Sequence, residues 1–238
     1  MKLNGRLKMI AEKIPECEIL TDVGTDHAYI PIYASEKGIC RKALAVDLRA
    51  GPLKMANANI KRYGLEEKIE TRIGNGLEPI LPEESDVVVI SGMGGNLIRD
   101  ILFNSAEKAK KAKLLLLQPN NAPDALRKWL YENGYTIVEE SLAEDAGKIY
   151  CLIIARWTGS AEKKDQFAYY VGEKLFDGKD DLLRKYLGKK LRELDVIIEG
   201  RRRSDPDKER KASAAPEMDT ATCIGIRNRI YDYLKEEI

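Results

Sequence analysis

The residues best equipped for chemistry sit in one acidic stretch, Asp22-Val23-Gly24-Thr25-Asp26-His27-Ala28-Tyr29, directly after an apolar run that reads as a first strand. A dinucleotide-binding loop at this place needs glycines at its first, third and sixth positions. Only Gly24 fits; the other two positions hold Asp26 and Tyr29. Asp26 would repel a pyrophosphate, and no Lys or Arg occurs from Ile14 through Glu36 to offset it. A helix N-terminus can still hold an anion, so phosphate is disfavoured without being excluded. A nicotinamide dehydrogenase is disfavoured likewise. A ligand bearing positive charge fits better. S-adenosyl-L-methionine carries an ammonium and a sulfonium and no phosphate. Asp22 and Asp26 could attract those groups with a force that grows away from bulk water. Gly24 would let the backbone approach the methionine part closely.

Further polar residues follow successive strand candidates. Asp47 closes the second, 25 residues after Asp22, and is placed to accept hydrogen bonds from ribose hydroxyls, with Leu48 beside it. Gly74-Asn75-Gly76 follows the third, where Asn75 can offer its amide to an adenine edge. Gly92-Met93-Gly94-Gly95 follows the fourth and suggests a backbone lying against a ligand, with Gly92 and Met93 as contacts. Gln118-Pro119-Asn120 closes the fifth, where Gln118 or Asn120 could offer its amide to the edge of a base. Each feature alone is commonplace; the ordered series is specific. His27 is the lone histidine, read as a polar contact at a helix start on the cofactor side. The four cysteines lie far apart without a C-x-x-C pair, so neither a metal site nor a disulfide framework is expected.

These residues need a scaffold that brings strand ends together. Strand candidates are Glu18–Asp22, Lys42–Asp47, Ile69–Ile73, Asp86–Ser91, Lys113–Gln118, Tyr135–Ser141 and Lys148–Trp157. Helical patterns cover Ala28–Lys37, Arg49–Tyr63, Leu97–Ala112 and Ala122–Asn133, and the N-terminal stretch reads as an amphipathic helix. Alternating strands and helices predict an α/β fold with a parallel, doubly wound, Rossmann-like sheet. The last two strands are joined only by a loop, Ala143–Gly147, so the sheet should finish with an antiparallel strand. A second, helical domain is expected over 159–238, after a catalytic domain over 1–158. Leu183, Tyr186, Leu187, Leu191, Leu194, Ile197 and Ile198 recur at helical spacing, and further helices are expected over Lys163–Phe176 and Thr220–Glu237. Gly178 and Ser204–Pro206 read as breaks, giving a helical hairpin or coiled-coil-like appendage for packing or dimerisation.

The 238 residues are 44% hydrophobic and 33% charged, enough apolar material for a core. Forty basic against 39 acidic residues leave a charge of +1, so any basic surface must be local. The longest purely apolar stretch, Leu114–Leu117, is far short of a membrane span, and the N-terminus lacks a signal peptide's apolar stretch. A reduced, cytoplasmic, soluble protein is expected.

At this point DVGTDHAYIPIY, ALAVD, GNGL, ISGMGG, LLLQPN and EDAGKIY together resemble the TrmK family of class I S-adenosylmethionine-dependent bacterial tRNA adenine-N1 methyltransferases, over nearly the whole chain. The resemblance implies methylation of N1 of the adenine at tRNA position 22. N1 already carries a lone pair, so no base is needed, and positioning is expected to supply much of the rate. The product ring is cationic, and Asp26 is the candidate carboxylate to favour it, or else a cofactor ligand. Tyr29 could stack on a base or simply shape the pocket, and Asn120 completes the catalytic candidates.

For phosphate contacts, the run from Arg184 to Lys211 has eleven basic against six acidic residues, densest at Arg201-Arg202-Arg203. Lys2, Arg6, Lys8 and Lys13 form a second cluster. Both are candidate tRNA contacts, with a solvated helix face as the alternative. Methylation of another RNA or a small molecule, or a non-catalytic RNA-binding protein with a vestigial nucleoside pocket, are the competing readings. The oligomeric state is left open.

Overall fold

The computed structural model describes residues 1–84, 86–178, 180–203 and 218–236. The chain divides into two compact units, Met1–Lys163 and Lys164–Ile238.

The first unit is built on seven strands: β1 (Cys17–Val23), β2 (Cys40–Asp47), β3 (Ile69–Ile73), β4 (Val87–Gly94), β5 (Leu114–Asn121), β6 (Tyr135–Asp145) and β7 (Lys148–Trp157). Their order in the sheet is β3-β2-β1-β4-β5-β7-β6. Strands β1 to β5 run parallel; β7 is antiparallel to both neighbours. The expected antiparallel final strand is present, inserted between β5 and β6. Val87–Ile90 and Leu115–Leu117 are buried throughout, as required of strands covered on both faces. The covering helices are α1 (Gly5–Glu12), α2 (Tyr29–Lys37), α3 (Ala50–Arg62), α4 (Gly95–Asn104), α5 (Ala106–Lys111) and α6 (Pro123–Glu132). Strand order reverses between β1 and β4. The loops leaving their carboxyl ends therefore part and leave a crevice, where such sheets bind ligands.

Helix α1 is held by the last strands of the first unit, far from it in sequence. Its own N-cap residue, Asn4, makes no side-chain cap. Instead Asp145, at the tip of the β6–β7 hairpin, accepts from the Arg6 backbone N–H at 3.3 Å. A carboxylate there also suits the positive end of the helix dipole. Ile10 and Ala11 are buried beneath, and Lys13 pairs with Glu139 on β6.

Three local expectations are corrected. The hairpin turn is only Ala146–Gly147, with φ of 48° and 74°, not the loop Ala143–Gly147. Two positive φ values match the turn whose twist suits the strands, so pairing continues to Asp145↔Lys148. The helix over Leu97–Ala112 is broken at Ser105 (φ −121°, ψ 38°). The break directs α5 so that Lys108 Nζ donates to the Leu77 and Glu78 carbonyls at 3.0 and 2.7 Å. The helix over Lys163–Phe176 is two short pieces, because Gly172 takes φ 98° between α7 (Gln166–Val171) and a 3₁₀ turn over Glu173–Phe176.

The second unit contains α7, α8 (Leu183–Arg203) and α9 (Thr220–Glu236). Leu183, Tyr186, Leu187, Leu194 and Ile198 are buried from α8, and Cys223, Ile226 and Ile230 from α9. Asp165 caps α7 through the Ala168 N–H at 2.8 Å and pairs with Arg229. The Ser204–Pro206 break, the basic residues beyond it and the Arg203 side chain lie outside the described residues.

Candidate active site

The acidic loop after β1 is folded tightly over β2: the Gly24 and Thr25 N–H groups both donate to the Val46 carbonyl, at 2.8 and 3.0 Å. Gly24 has φ 78°, and a Cβ there would meet the Met93 methyl at 2.2 Å. Its positive φ is what calls for glycine at residue 24, since the Met93 methyl is the free end of a flexible side chain that could move aside. Asp22 is only 5% exposed, and among the described residues no cation lies within ion-pair distance of its carboxylate. Burial pushes its carboxyl up to about 6, against smaller opposing effects of Thr25 and the Arg6 guanidinium. A desolvated carboxylate without a paired charge at the mouth of a sheet is a place where a cation would be favoured.

Further along the loop Thr25 and Ala28 stay buried, while Asp26 and Tyr29 face solvent and His27 is half-buried. The Asp26 side chain is 70% exposed, with Oδ2 3.3 Å from His27 Nε2. The His27 and Tyr29 rings stack at 5.1 Å and 18°, and Tyr29 is exposed. Ala28 between them is buried with φ 55°, and Asn59 of α3 pins the His27 carbonyl at 3.1 Å. The two rings are thus an ordered, open aromatic face at the start of α2.

Asp47 is buried at the end of β2, where Oδ1 accepts from the Arg49 N–H at 2.8 Å. Leu48 is 64% exposed, and Ile73, paired with Asp47 across the β2–β3 ladder, is 61% exposed. Sequence reasoning missed Ile73; its signal was an apolar residue at a strand end, which looked like core. Asn75 is exposed, with Nδ2 3.4 Å from Glu78 Oε1, and Gly76 is buried beside it.

The loops after β4 and β5 are tied into one body. Gly92 is unpaired in the ladder between Ser91↔Gln118 and Met93↔Pro119. Its N–H donates to Gln118 Oε1 at 3.2 Å, and its carbonyl accepts from Asn120 Nδ2 at 2.7 Å. Gln118 Nε2 donates to the Pro119 carbonyl at 2.9 Å and to Asn120 Oδ1 at 3.3 Å. A Cβ on Gly95 would meet the Ala122 carbonyl oxygen at 2.2 Å, so only glycine permits this approach of the two loops. The expectation that Gln118 could read a base edge is corrected. Gln118 is fully buried and its amide is spent on these neighbours. Asn120 is exposed and keeps one N–H and one lone pair beyond these contacts.

Two expected phosphate contacts are placed differently. Arg6 turns inward: Nη1 donates to Gln118 Oε1 at 3.0 Å and the guanidinium lies 5.8 Å from the Tyr150 ring centroid. Arg201 donates to the Met218 carbonyl at 2.6 Å and lies 3.6 Å from Cys223 Sγ, fastening α8 to the start of α9. A guanidinium on a half-buried helix face finds carbonyl and amide oxygens before it finds solvent. Lys2, Lys8 and Arg202 are exposed, as are Lys189 and Arg192 further back on α8. Among the described residues no helix is long and apolar enough to cross a membrane.

Residues 3–153 match a family described as a methyltransferase domain. The chain is 37% identical over 178 residues to the tRNA (adenine(22)-N(1))-methyltransferase of Bacillus subtilis, covering 75% of this chain and 72% of that protein. It is similar to a Streptococcus pneumoniae protein solved in complex with S-adenosyl-L-methionine (31% identity, TM-score 0.80, 96% of this chain and 98% of that chain). It is similar also to Mycoplasma capricolum TrmK in complex with S-adenosyl-homocysteine (28% identity, TM-score 0.78, 99% of each chain).

Proposed function

The chain belongs to the TrmK family of tRNA (adenine(22)-N(1))-methyltransferases, and from that premise we propose that it methylates N1 of adenine 22 in tRNA with S-adenosyl-L-methionine as donor. The observation that carries the reading is the buried Asp22 carboxylate, which has no ion-pair partner among the described residues. A diphosphate would be repelled there; a donor bearing an ammonium and a sulfonium is matched to it.

The bound donor supplies an electrophilic methyl group on a cationic sulfur. Asp22 is assigned to the charged methionine end, against the bare backbone of Gly24. Asp47 is assigned to the ribose hydroxyls, since a buried carboxylate with one oxygen engaged by Arg49 N–H still has acceptor capacity. Leu48 and Ile73 offer apolar edges to a flat ring, and Asn75 and Gly76 border it. The Met93 methyl lies directly against Gly24 and would have to shift for a ligand to approach that backbone.

The chemistry asks little of proton transfer, because adenine N1 attacks with a free lone pair. What the protein must do is hold the base and exclude water. The exposed Tyr29 ring, backed by the half-buried His27 ring, is suited to stacking on an unstacked base. Asn120 has hydrogen-bonding capacity left for the base edge. Asp26 is screened while solvated; covering by bound RNA would strengthen its attraction for the cationic product ring. Exposed Lys2, Lys8, Lys189, Arg192 and Arg202 are assigned to phosphate, where they add affinity and salt dependence without reading sequence. Methylation of this substrate belongs in the cytoplasm, where tRNA is.

The test is incubation with labelled S-adenosyl-L-methionine and unmodified tRNA, followed by nucleoside mapping. Label at N1 of adenine 22 is expected. Label at another nucleotide, or none above background with active cofactor binding, overturns the assignment.

A further inference from the structure

Arg6 has no place in the chemistry above, yet it is built into the site more firmly than most residues there. Its backbone N–H is held by Asp145 and its guanidinium lies over Tyr150, both from the β6–β7 hairpin. Its Nη1 reaches Gln118 Oε1, the atom that also receives the Gly92 N–H. Two donors converging on one oxygen fix which end of the buried amide is which. The NH₂ end must then point to Pro119 O and Asn120 Oδ1. Asn120 in turn donates Nδ2 to the Gly92 carbonyl. The hydrogen-bond sense of the whole ring is set from Arg6.

We infer that Arg6 is a positioning residue for methyl transfer, orienting Asn120 and the Gly92 loop through the Gln118 amide. It is not a phosphate contact. The inference rests on the methyltransferase reading above. It also gives the EDAGKIY segment a role, since Asp145 and Tyr150 hold Arg6, and Arg6 holds the β4 and β5 loops. The effect falls on the acceptor side of the reaction. A misplacement of about 1 Å at such a site costs on the order of 100-fold in rate.

The experiment compares wild type, Arg6→Ala, Arg6→Lys, Asn120→Ala and the Arg6→Ala/Asn120→Ala double variant at pH 8, where Asp22 is ionised. Initial rates of N1-methyladenosine formation are read with equilibrium binding of S-adenosyl-L-methionine and tRNA across a salt series. For Arg6→Ala, kcat is expected to fall about 10–100-fold. Cofactor Kd should stay within about threefold, and the slope of tRNA affinity against salt should not change. Arg6→Lys, which can still donate to Gln118, should recover part of kcat. In the Asn120→Ala background, removing Arg6 should cost little more, as for two residues acting in one chain of contacts. Gln118→Glu guards against a folding failure of the Arg6 variants. It keeps both acceptor contacts but cannot donate to Asn120, and should lower kcat with Arg6 in place. An unchanged kcat in both Arg6→Ala and Gln118→Glu overturns the inference. So does weakened tRNA binding with a flatter salt slope, which would make Arg6 a phosphate contact, or full additivity in the double variant. A wild-type protein that binds cofactor but methylates no tRNA overturns the functional reading itself.

Discussion

Replacing Asp22 by Asn should make the free protein more stable while destroying its grip on the methyl donor. The folded carboxyl titrates at about 6, against an ordinary 3.8, because burial disfavours its charge. A shift of roughly two units is worth about 3 kcal/mol between the protonation states. The sign follows from proton binding. Between pH 4 and 6 the folded state holds a proton that the unfolded chain has released, so stability falls as pH rises through that window. Above about pH 6.5 the ionised Asp22 costs the free protein its full ~3 kcal/mol, and an isosteric amide removes that cost. The assay is urea unfolding of wild type and Asp22→Asn from pH 4 to 8, using the difference between the two so that other carboxylates cancel. That difference should be small near pH 4 and grow to about 1–3 kcal/mol in favour of the variant at pH 7.5. Calorimetric titration should show S-adenosyl-L-methionine affinity falling on the order of 100-fold, the cost of removing one partner of a buried charge pair. Wild-type affinity should itself weaken as pH drops through 6. A stability difference flat across pH, or unimpaired cofactor binding by the variant, refutes the idea that an uncompensated buried charge is the cofactor's handle.

Asp47→Asn keeps the shape of the second strand end but loses its charge, and should raise cofactor Kd about tenfold with kcat at saturation preserved within a few-fold, read by calorimetry and steady-state kinetics. Arg201→Ala and Arg202→Ala should behave oppositely. The first breaks the contact to the Met218 carbonyl and should destabilise the helical unit by about 1.5–3 kcal/mol in thermal unfolding. The second should leave unfolding unchanged and lower the salt slope of tRNA binding by about one. Gly95→Ala forces a methyl onto the Ala122 carbonyl and should destabilise by about 1–3 kcal/mol, measured by denaturant unfolding, with loss of activity exceeding loss of fold.

The parts of the site readable from sequence were those set by local chain position. Asp22, Asp47, Asn75 and Gly92 each lie at or just past the carboxyl end of their own strand, and parallel strands bring such ends to one edge whatever else the chain does. Strand positions were legible for the same reason: unbroken apolar runs such as Val87–Ile90 have few other uses. What failed was governed by distant partners. Nothing near Arg6 announces Gln118, 112 residues away, so a cation on a polar-looking helix was assigned to phosphate. Arg201 sits in a basic triplet, but its partners Met218 and Cys223 lie 17 and 22 residues further along the chain. The break at Ser105 likewise answers to Lys108 reaching the Leu77 and Glu78 carbonyls, a tertiary demand that helical periodicity does not carry.

Helix α1 is synthesised well before its partners: Asp145, which accepts from it, and Glu139, which pairs with Lys13, are made some 130 residues later. Until the hairpin between β6 and β7 emerges, a nascent chain can assemble the parallel half of the sheet but can seat α1 only on its α2 side, where Met1 pairs with Glu36 and Ile10 joins the core of Ile30 and Ile32. Assembly of the complete crevice is thereby postponed to the end of the domain's synthesis, and a fragment ending before the hairpin would carry every acidic strand end and still lack the hairpin contacts of its N-terminal helix.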